Sequence, residues 1–158
     1  MLKIKYFTTM DDRGTFSNID LLNGIEESFV TKRIYFCKNF KEGMVRAFHY
    51  HKHESKVIIC LSGAIKVVTT TKPTPVKQHI DYSQEPIVGN FEYGPFITGF
   101  LEERDNAGIY IKAGLANGWQ SLTPDAMIMV LSNRTVQESM NDDIRYPANA
   151  YDWSIKWR

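Results

Sequence analysis

The chain has 158 residues, which suits one domain with a buried core and is too short for two full domains. Its 19 lysines and arginines nearly balance 18 aspartates and glutamates, so the formal net charge of +1 gives no reason to expect nucleic acid or a membrane surface as partner. No apolar run is long enough for a membrane span, and the N-terminus lacks the pattern of a signal peptide. We therefore expect one cytoplasmic domain over residues 1–158.

Short stretches rich in β-branched and aromatic residues recur between turn signals along the chain. This spacing predicts an all-β sandwich or barrel. The predicted strands cover residues 3–7, 29–37, 45–50, 56–61, 64–71, 108–111 and 127–131. The clearest hairpin joins 57–61 to 64–68 through Ser62 and Gly63, because glycine supplies the positive φ that a tight reversal needs.

Other segments of the chain break this pattern. Two prolines within 72–75 should end the strand before them, because proline cannot donate to a ladder. From 79 to 104, prolines and glycines favour an inserted hairpin or long loop over one end of the barrel. Helical periodicity is weak, and its best candidates are a turn near 17–23 and another in the last twenty residues.

The most informative stretch is GMVRAFHYH at 43–51. On a strand, side chains alternate with period two, so His49 and His51 should project into one cavity. Phe48 and Tyr50 should then lie on the outer face. A lone histidine in a strand is more often a packed or surface residue, but a His-x-His pair that opens a hairpin favours a functional site.

This stretch resembles the first motif of the cupin superfamily, in which Gly, five residues, His-x-His, three or four residues, Glu, six residues and Gly follow one another. Four positions match that spacing: Gly43, His49, His51 and Gly63. The Glu position falls on Lys56, and Glu54 stands two residues early. Residues 112–117 resemble the second motif, with Asn117 where metal-binding cupins carry histidine. The resemblance implies a cupin-type β-barrel, that is, a double-stranded β-helix or jelly roll, with minor helical turns.

The two substituted positions argue against a metal. A borderline divalent cation is held by imidazoles and carboxylates, and the ammonium group of Lys56 would oppose it. We therefore expect neither a catalytic metal nor another cofactor. Glu54 or His53 would restore a ligand if the turn runs differently.

More of the chain resembles the nucleotide-sugar branch of cupins. The dTDP-4-dehydrorhamnose 3,5-epimerases are similar at 12–16 (DRGTF), 45–50 (VRAFHY), 114–120 (GLANGWQ) and 155–157 (IKW). The dTDP-sugar 3,4-ketoisomerases are similar at 32–36 (KRIYF), 46–52 (RAFHYHK) and 127–131 (MIMVL). The resemblance implies a cofactor-independent epimerase or ketoisomerase that acts on a 4-keto-6-deoxy sugar linked to a nucleoside diphosphate.

The isomerisation of such a sugar needs a base. The carbonyl group acidifies the hydrogens on the neighbouring carbons, and the removal of one of them leaves an enolate. His49 is the predicted base, since the pKa of histidine lies near working pH. Ketoisomerisation moves protons on one side of an enediol, which the pair of His49 and His51 fits well. The epimerases pair their histidine with a C-terminal aspartate, for which Asp143 and Asp152 are weak candidates.

Epimerisation also needs an acid on the opposite face of the sugar, and the epimerases use a tyrosine there. That position aligns with Val130, which cannot donate a proton. Epimerase activity is therefore in doubt unless another tyrosine supplies the acid. The candidates are Tyr35, Tyr93 and Tyr110.

A diphosphate needs planar cations with several donors. Three arginines are predicted to bind it: Arg13, Arg33 and Arg46. Lys56 is predicted to bind an anion where a metal-binding carboxylate would otherwise sit. Asn117 and Trp119 are further candidates for substrate contact, although core packing is the commoner role of a tryptophan.

Two other classes stay open. Val130 and Asn117 are compatible with a sugar-binding cupin that is not a catalyst, and a metal-dependent cupin enzyme is the third class. The partners that the resemblance implies are a nucleotide-sugar substrate and a second copy in a homodimer. No nucleic acid and no membrane is expected.

Overall fold

The computed structural model describes residues 1–5, 7–12, 14–18, 25–76, 80–105 and 107–155. Within these ranges nearly all regular structure is β-strand. In chain order the elements are β1 (Leu2–Lys5), β2 (Phe7–Asp11), β3 (Gly14–Asn18), β4 (Arg33–Lys38), β5 (Val45–His51), β6 (Lys56–Ser62), β7 (Ala64–Thr71), β8 (Thr74–Pro75), β9 (Phe91–Glu92), β10 (Ile97–Glu102), β11 (Ala107–Ile111), β12 (Leu115–Ser121), β13 (Met127–Ser132), α1 (Val136–Met140), β14 (Asp143–Arg145) and a 3₁₀-helix (Ala148–Ala150).

Two five-stranded antiparallel sheets make up the body of the protein. The first has the order β1-β11-β6-β13-β4, and the second has the order β10-β7-β12-β5-β14. They pack face to face, because one buried apolar cluster takes side chains from both, such as Ile58 and Val130 from the first and Val67 and Trp119 from the second. Two short pairs, β2–β3 and β8–β9, complete the strand pairing. The predicted all-β sandwich or barrel is confirmed.

The predicted hairpin through Ser62 and Gly63 is wrong. Gly63 does take a positive φ of 70°. However, β6 lies in the first sheet between β11 and β13, and β7 lies in the second sheet between β10 and β12. The turn therefore passes the chain from one sheet to the other, because both strands are buried on two sides and find their partners among distant segments.

The broken pattern of the segment 79–104 had suggested an inserted hairpin or long loop. The structure shows that only part of this segment is an insertion. Its last part forms β10, which pairs along its length with β7 at the edge of the second sheet. In the sequence, Gly99 looks like a turn residue, so the strand was not predicted. In the structure, a Cβ at position 99 would lie 2.9 Å from the Ile109 side chain. A side chain there would displace the ends of the Met1 and Ile109 side chains, so glycine favours close packing of the two sheets at this point.

Other elements also differ from the prediction. β4 begins at Arg33 instead of residue 29, because Phe29 turns onto the outer face of the first sheet and its ring meets Tyr110 edge-on at 5.9 Å. The predicted helical turn near 17–23 overlaps the end of β3, and its residues 19–23 lie outside the described residues. β12 was not predicted as a strand at all.

Phe48 and Tyr50 lie on the outer face of the second sheet, as predicted, and this face is covered. Phe48 and Tyr50 are buried in an apolar cluster there, together with Tyr146. Phe48 packs against several rings, with the Trp153 ring centroid at 5.6 Å. Their alternation with His49 and His51 is confirmed. Among the described residues, no helix is long and apolar enough to cross a membrane.

Candidate active site

A cavity of about 270 Å³ lies between the two sheets. Its walls come from β4, β5, β6, β12, β13, α1 and β14. Seven of the nine site residues predicted from the sequence line it: Tyr35, Arg46, His49, His51, Lys56, Asn117 and Trp119. The structure thus brings most of the predicted site together in one place.

Arg46 reaches this cavity because β5 is irregular. On a regular strand, residues 46 and 49 would face opposite sides of the sheet. The pairing with β12 shifts here, since Asn117 lies opposite His49 but Trp119 lies opposite Arg46. One extra residue is therefore accommodated on β5, which turns Arg46 to the same side as His49. Gly118 permits this close approach, because a Cβ there would collide with Ala47.

His49 is paired with Asp143. Its Nδ1 lies 3.1 Å from Oδ1 of Asp143, a residue 94 positions away that β14 holds beside β5. A carboxylate can only accept, so Nδ1 carries the proton and Nε2 keeps a lone pair for a ligand. Burial raises the pKa of Asp143, but the hydrogen bond from His49, the charges of both histidines and a hydrogen bond from Arg145 outweigh it and hold that pKa well below its usual range. Asp143, one of two weak candidates, is therefore placed as the partner of the predicted base.

His51 lies deeper and contacts three charged groups. Its Nδ1 is 3.4 Å from Nζ of Lys56, and its Nε2 is 3.3 Å from Glu54 and 3.5 Å from Asp143. Burial, and after it the charge of Lys56, lowers the pKa of His51 to about 4, although the carboxylates of Glu54 and Asp143 act in the opposite direction. His51 is thus neutral at neutral pH.

Glu54 lies at the centre of these contacts, and its side chain is completely buried. It accepts hydrogen bonds from Ser132, Ser139 and Arg33. Ser139 is held there by α1, whose first turn is closed by the reciprocal bonds of Thr135 and Glu138. Burial raises the pKa of Glu54, but the charges of Lys56 and His51 and the two hydroxyl groups lower it more, so Glu54 is an anion.

The sequence had assigned no role to Glu54 except as a possible metal ligand. A usable signal was present, because a lysine predicted to point into the barrel requires a buried counter-charge. Among the described residues, no group of three or more His, Cys, Asp or Glu is placed to hold a metal ion. The ammonium group of Lys56, whose Nζ lies 3.6 Å from Glu54, would repel a metal cation at this place.

The other two predicted arginines differ from Arg46. Arg33 does not line the cavity; its guanidinium donates to Glu54 at 3.1 Å and lies over the Tyr35 ring, 4.7 Å from the centroid. Arg13 lies outside the described residues. Arg46 itself donates from Nε to the buried Asn39 at 2.8 Å, which leaves its terminal nitrogens for another partner.

Of the three candidate tyrosines, Tyr35 lines the cavity, whereas Tyr93 and Tyr110 belong to clusters on the outer faces of the sheets. Tyr35 pairs with Val130 across β4 and β13, so its ring stands beside the position that aligns with the tyrosine of the epimerases. Burial, with the charge of Glu54, raises the pKa of Tyr35 far above its ordinary value. The hydroxyl therefore stays protonated and can donate.

Asn117 and Trp119 reach the cavity from β12. The Asn117 amide donates to the carbonyl of His49 at 3.0 Å, which orients it beside the predicted base. Trp119 is buried in the core cluster and also lines the cavity. Asp152, the other weak candidate for the partner of the base, accepts from the backbone N–H of Ser154 and is not among the residues that line the cavity.

The low pKa of His51 makes stability fall in mild acid. Below pH 6.5 the unfolded chain takes up a proton at His51, but the folded chain does not until about pH 4. The free energy of unfolding should therefore decrease by up to about 3 kcal/mol from this residue as pH falls through that window. Urea titrations at several pH values measure this change. His51→Gln is the control, because it cannot titrate; an equal slope in both proteins would contradict the prediction.

The two sheets and the histidines directed between them define a cupin-type barrel. Residues 1–87 match the family described as FdtA: WxcM-like, C-terminal. Since this is more than half of the chain, the protein belongs to that family. The chain is also 22% identical over 136 residues to a TDP-4-oxo-6-deoxy-alpha-D-glucose-3,4-oxoisomerase of Aneurinibacillus thermoaerophilus, covering 86% of this chain and 81% of that protein.

Solved structures show the same fold. QdtA, a sugar 3,4-ketoisomerase from Thermoanaerobacterium thermosaccharolyticum in complex with TDP, superposes with a TM-score of 0.65 at 20% identity, over 94% of this chain and 89% of that one. ChmJ, a 3'-monoepimerase from Streptomyces bikiniensis in complex with dTDP-quinovose, superposes with a TM-score of 0.74 at 17% identity, over 98% and 73%. The predicted jelly roll of the nucleotide-sugar branch is confirmed.

Proposed function

We propose that the protein is an isomerase of a dTDP-linked 4-keto-6-deoxy sugar and that it acts as a 3,4-ketoisomerase. The observation that carries this proposal is the convergence of His49 and His51 on one cavity, with Asp143 within 3.5 Å of both. The name of the oxoisomerase relative supports the same reaction.

In the proposed reaction, Nε2 of His49 removes the hydrogen from C3 of the sugar and returns a proton to C4. Asp143 keeps Nδ1 protonated and stabilises the imidazolium that forms. His51 also contacts Asp143, but it is neutral and is held among Lys56, Glu54 and Asp143. It is therefore assigned to positioning the groups around it, not to acting as the base for carbon.

Substrate binding is assigned to the remaining residues of the cavity. The terminal nitrogens of Arg46 suit a diphosphate, because they form a planar fork whose Nε is already held by Asn39. Lys56 and Asn117 are assigned to the polar groups of the sugar, and Trp119 offers an apolar wall. Arg33 contributes indirectly through Glu54, and a contact from Arg13 stays a prediction from the motif.

A 3- or 3,5-epimerase is the second candidate. It is favoured by Tyr35, whose protonated hydroxyl group stands beside Val130 in the cavity. Incubation with dTDP-4-keto-6-deoxyglucose in deuterium oxide, followed by NMR, separates the two reactions. A new 3-keto product supports ketoisomerisation, whereas deuterium without a 3-keto product supports epimerisation, at C3 alone for a 3-epimerase and at C3 and C5 for a 3,5-epimerase. If neither occurs, the protein is not an enzyme of this sugar, and the sugar-binding class is favoured instead.

Metal independence is part of the proposal. The ammonium group of Lys56 and its ion pair with Glu54 occupy the region where cupin ligands would converge. Elemental analysis of the active, purified protein checks it, because a stoichiometric transition metal would favour the metal-dependent class.

We propose, further, that two copies associate through the outer face of β4. This strand ends the first sheet, and its Ile34 and Phe36 side chains are 55% and 60% exposed. Exposed apolar side chains on an edge strand are normally covered by a partner.

Phe36→Glu should therefore convert a dimer into a monomer, because the new charge would be buried in the interface. Light scattering measures the mass, and the expected wild-type value is twice the 18.2 kDa of the chain. Phe100→Glu is the matched control, since Phe100 is 56% exposed on β10 at the edge of the other sheet. A wild-type monomer, or dissociation by the control alone, would contradict this interface.

A further inference from the structure

We infer that Lys56, His51 and Glu54 form a second proton-transfer unit, in which Lys56 exchanges protons with the oxygens of the bound sugar and Glu54 is a positioning residue. The unit is separate from the pair of His49 and Asp143, which serves the carbons. This inference rests on the proposed isomerase function, because it assigns the oxygen chemistry of that same reaction.

The position of Lys56 allows its ammonium group to be held by the protein and also to reach a ligand. An ammonium group has three N–H donors. One is directed at Nδ1 of His51, 3.4 Å away, and a second at Oε1 of Glu54, 3.6 Å away. The third is left for the cavity, which Lys56 lines. Lys56 can thus be held from two sides and still donate to a ligand.

The tautomer of His51 follows from these contacts. If Nδ1 accepts from Lys56, the ring proton must lie on Nε2, which faces Glu54 at 3.3 Å and Asp143 at 3.5 Å. Both carboxylates are negative and lie near that proton, which favours it there. His51 is therefore a neutral bridge that fixes the direction of the Lys56 ammonium group.

Glu54 is held rigidly by its own hydrogen bonds, and it can therefore fix the positions of His51 and Lys56. Its carboxylate is buried and is bonded by Ser132 from β13, Ser139 from α1 and Arg33 from β4. These three donors hold it at the point where His51 and Lys56 meet. A buried anion at this point also stabilises the charged ammonium group of Lys56, which would otherwise be costly to bury.

The proton balance of the isomerisation closes with this unit. His49 takes the proton from C3 while Lys56 gives one to O4, which converts the 4-keto sugar into the 3,4-enediol. His49 then returns its proton to C4 while the O3 hydroxyl group returns a proton to Lys56. The net result is that one hydrogen moves from C3 to C4 and another from O3 to O4, and both groups end as they began.

The surroundings of the unit support this exchange. The charged and titratable groups that face His51 are His49 from its own strand, Lys56 from β6, Asp143 from β14, and Glu54. Burial lowers the pKa of Lys56 despite the opposing carboxylates of Glu54 and Asp143. A lysine with a lowered pKa gives up its proton more readily, as an acid working near neutral pH requires.

The tautomer of His51 can be measured in the free protein, without substrate. In a protein with ¹⁵N-labelled histidine, NMR should show His51 protonated on Nε2 alone from about pH 8 down to about pH 5.5. Lys56→Met should raise the pKa at which His51 takes up its second proton and remove the preference for this tautomer. A wild-type His51 protonated on Nδ1, or one that titrates unchanged in Lys56→Met, would overturn the unit. This result does not depend on whether the protein isomerises sugars.

The catalytic role needs kinetics. Lys56→Met should lower kcat by about 10²-fold or more, with KM within about threefold, and should remove the loss of activity on the alkaline side of the pH profile. Lys66→Met is the matched control, because Lys66 is also buried but donates to the Trp153 carbonyl outside the cavity. Equal kcat in wild type and Lys56→Met would overturn the role of Lys56. An inactive wild type with the expected His51 tautomer would instead overturn the proposed function.

For Glu54, the informative variant is Glu54→Gln, whose one oxygen can accept from Ser132 or Ser139 while its NH2 group donates to the other hydroxyl group. It should shift the alkaline limb of the pH profile to lower pH, because Lys56 loses its nearest anion. A merely structural role would lower the amount of folded protein without moving that limb. If Glu54→Gln does not fold, the wild-type NMR measurement still decides the tautomer.

Discussion

Replacing His49 by Asn should lower the rate of sugar isomerisation by about 10²- to 10⁴-fold, the usual contribution of a general base. Asn can keep a hydrogen bond to Asp143 but has no lone pair of suitable basicity for the C3 hydrogen. Binding of dTDP should change little, since the diphosphate is assigned to Arg46 and not to His49. The rate is measured by NMR from the appearance of the 3-keto sugar, and dTDP binding by calorimetry.

His53→Asn is the matched control for this result. His53 is exposed, and its backbone N–H is bonded by Asp142 in the turn after β5. Its replacement should leave the rate unchanged. A His49→Asn variant as fast as wild type would show that the base lies elsewhere, and a slow His53→Asn variant would show that the loss is not specific to His49.

Replacing Glu54 by Ala should destabilise the fold by about 3–5 kcal/mol, the usual cost of removing one partner of a buried ion pair. The variant removes the nearest anion of both Lys56 and Arg33, whose side chains are only 6% and 17% exposed. Two serine hydroxyl groups also lose their acceptor. Urea denaturation at neutral pH measures the free energy of unfolding.

Two further variants make this prediction specific. Glu85→Ala removes an exposed carboxylate that pairs with Arg145 at 3.4 Å, and it should cost less than about 1 kcal/mol. Glu54→Leu combined with Lys56→Met replaces the buried pair by apolar side chains and should recover much of the lost stability. A cost of Glu54→Ala no larger than that of Glu85→Ala would mean that the carboxylate is not held in the interior.

Local patterns predicted the all-β class and several of the strands, but not which strands pair. The alternation of aromatic and histidine residues on β5 is a property of any strand, so it could be seen without the fold. The turn at Gly63 was also visible, but whether it closes a hairpin or joins two sheets depends on which distant strands compete for β6 and β7. β10 and β12 were missed because their glycines, needed for close packing, look like turn residues.

For the site, the sequence by itself determined that two histidines face one interior and that Lys56 joins them there, since period two and motif spacing are local. Only the tertiary structure decided which anions accompany them. Asp143 comes from a strand 94 residues beyond His49, and Ser132 and Ser139 lie 78 and 85 residues from Glu54. Arg46 reaches the cavity through a shift in pairing with β12. Such contacts depend on which strands lie side by side. Hydrophobic alternation along one strand determines which side chains face the core, but it does not determine which strands pair with it.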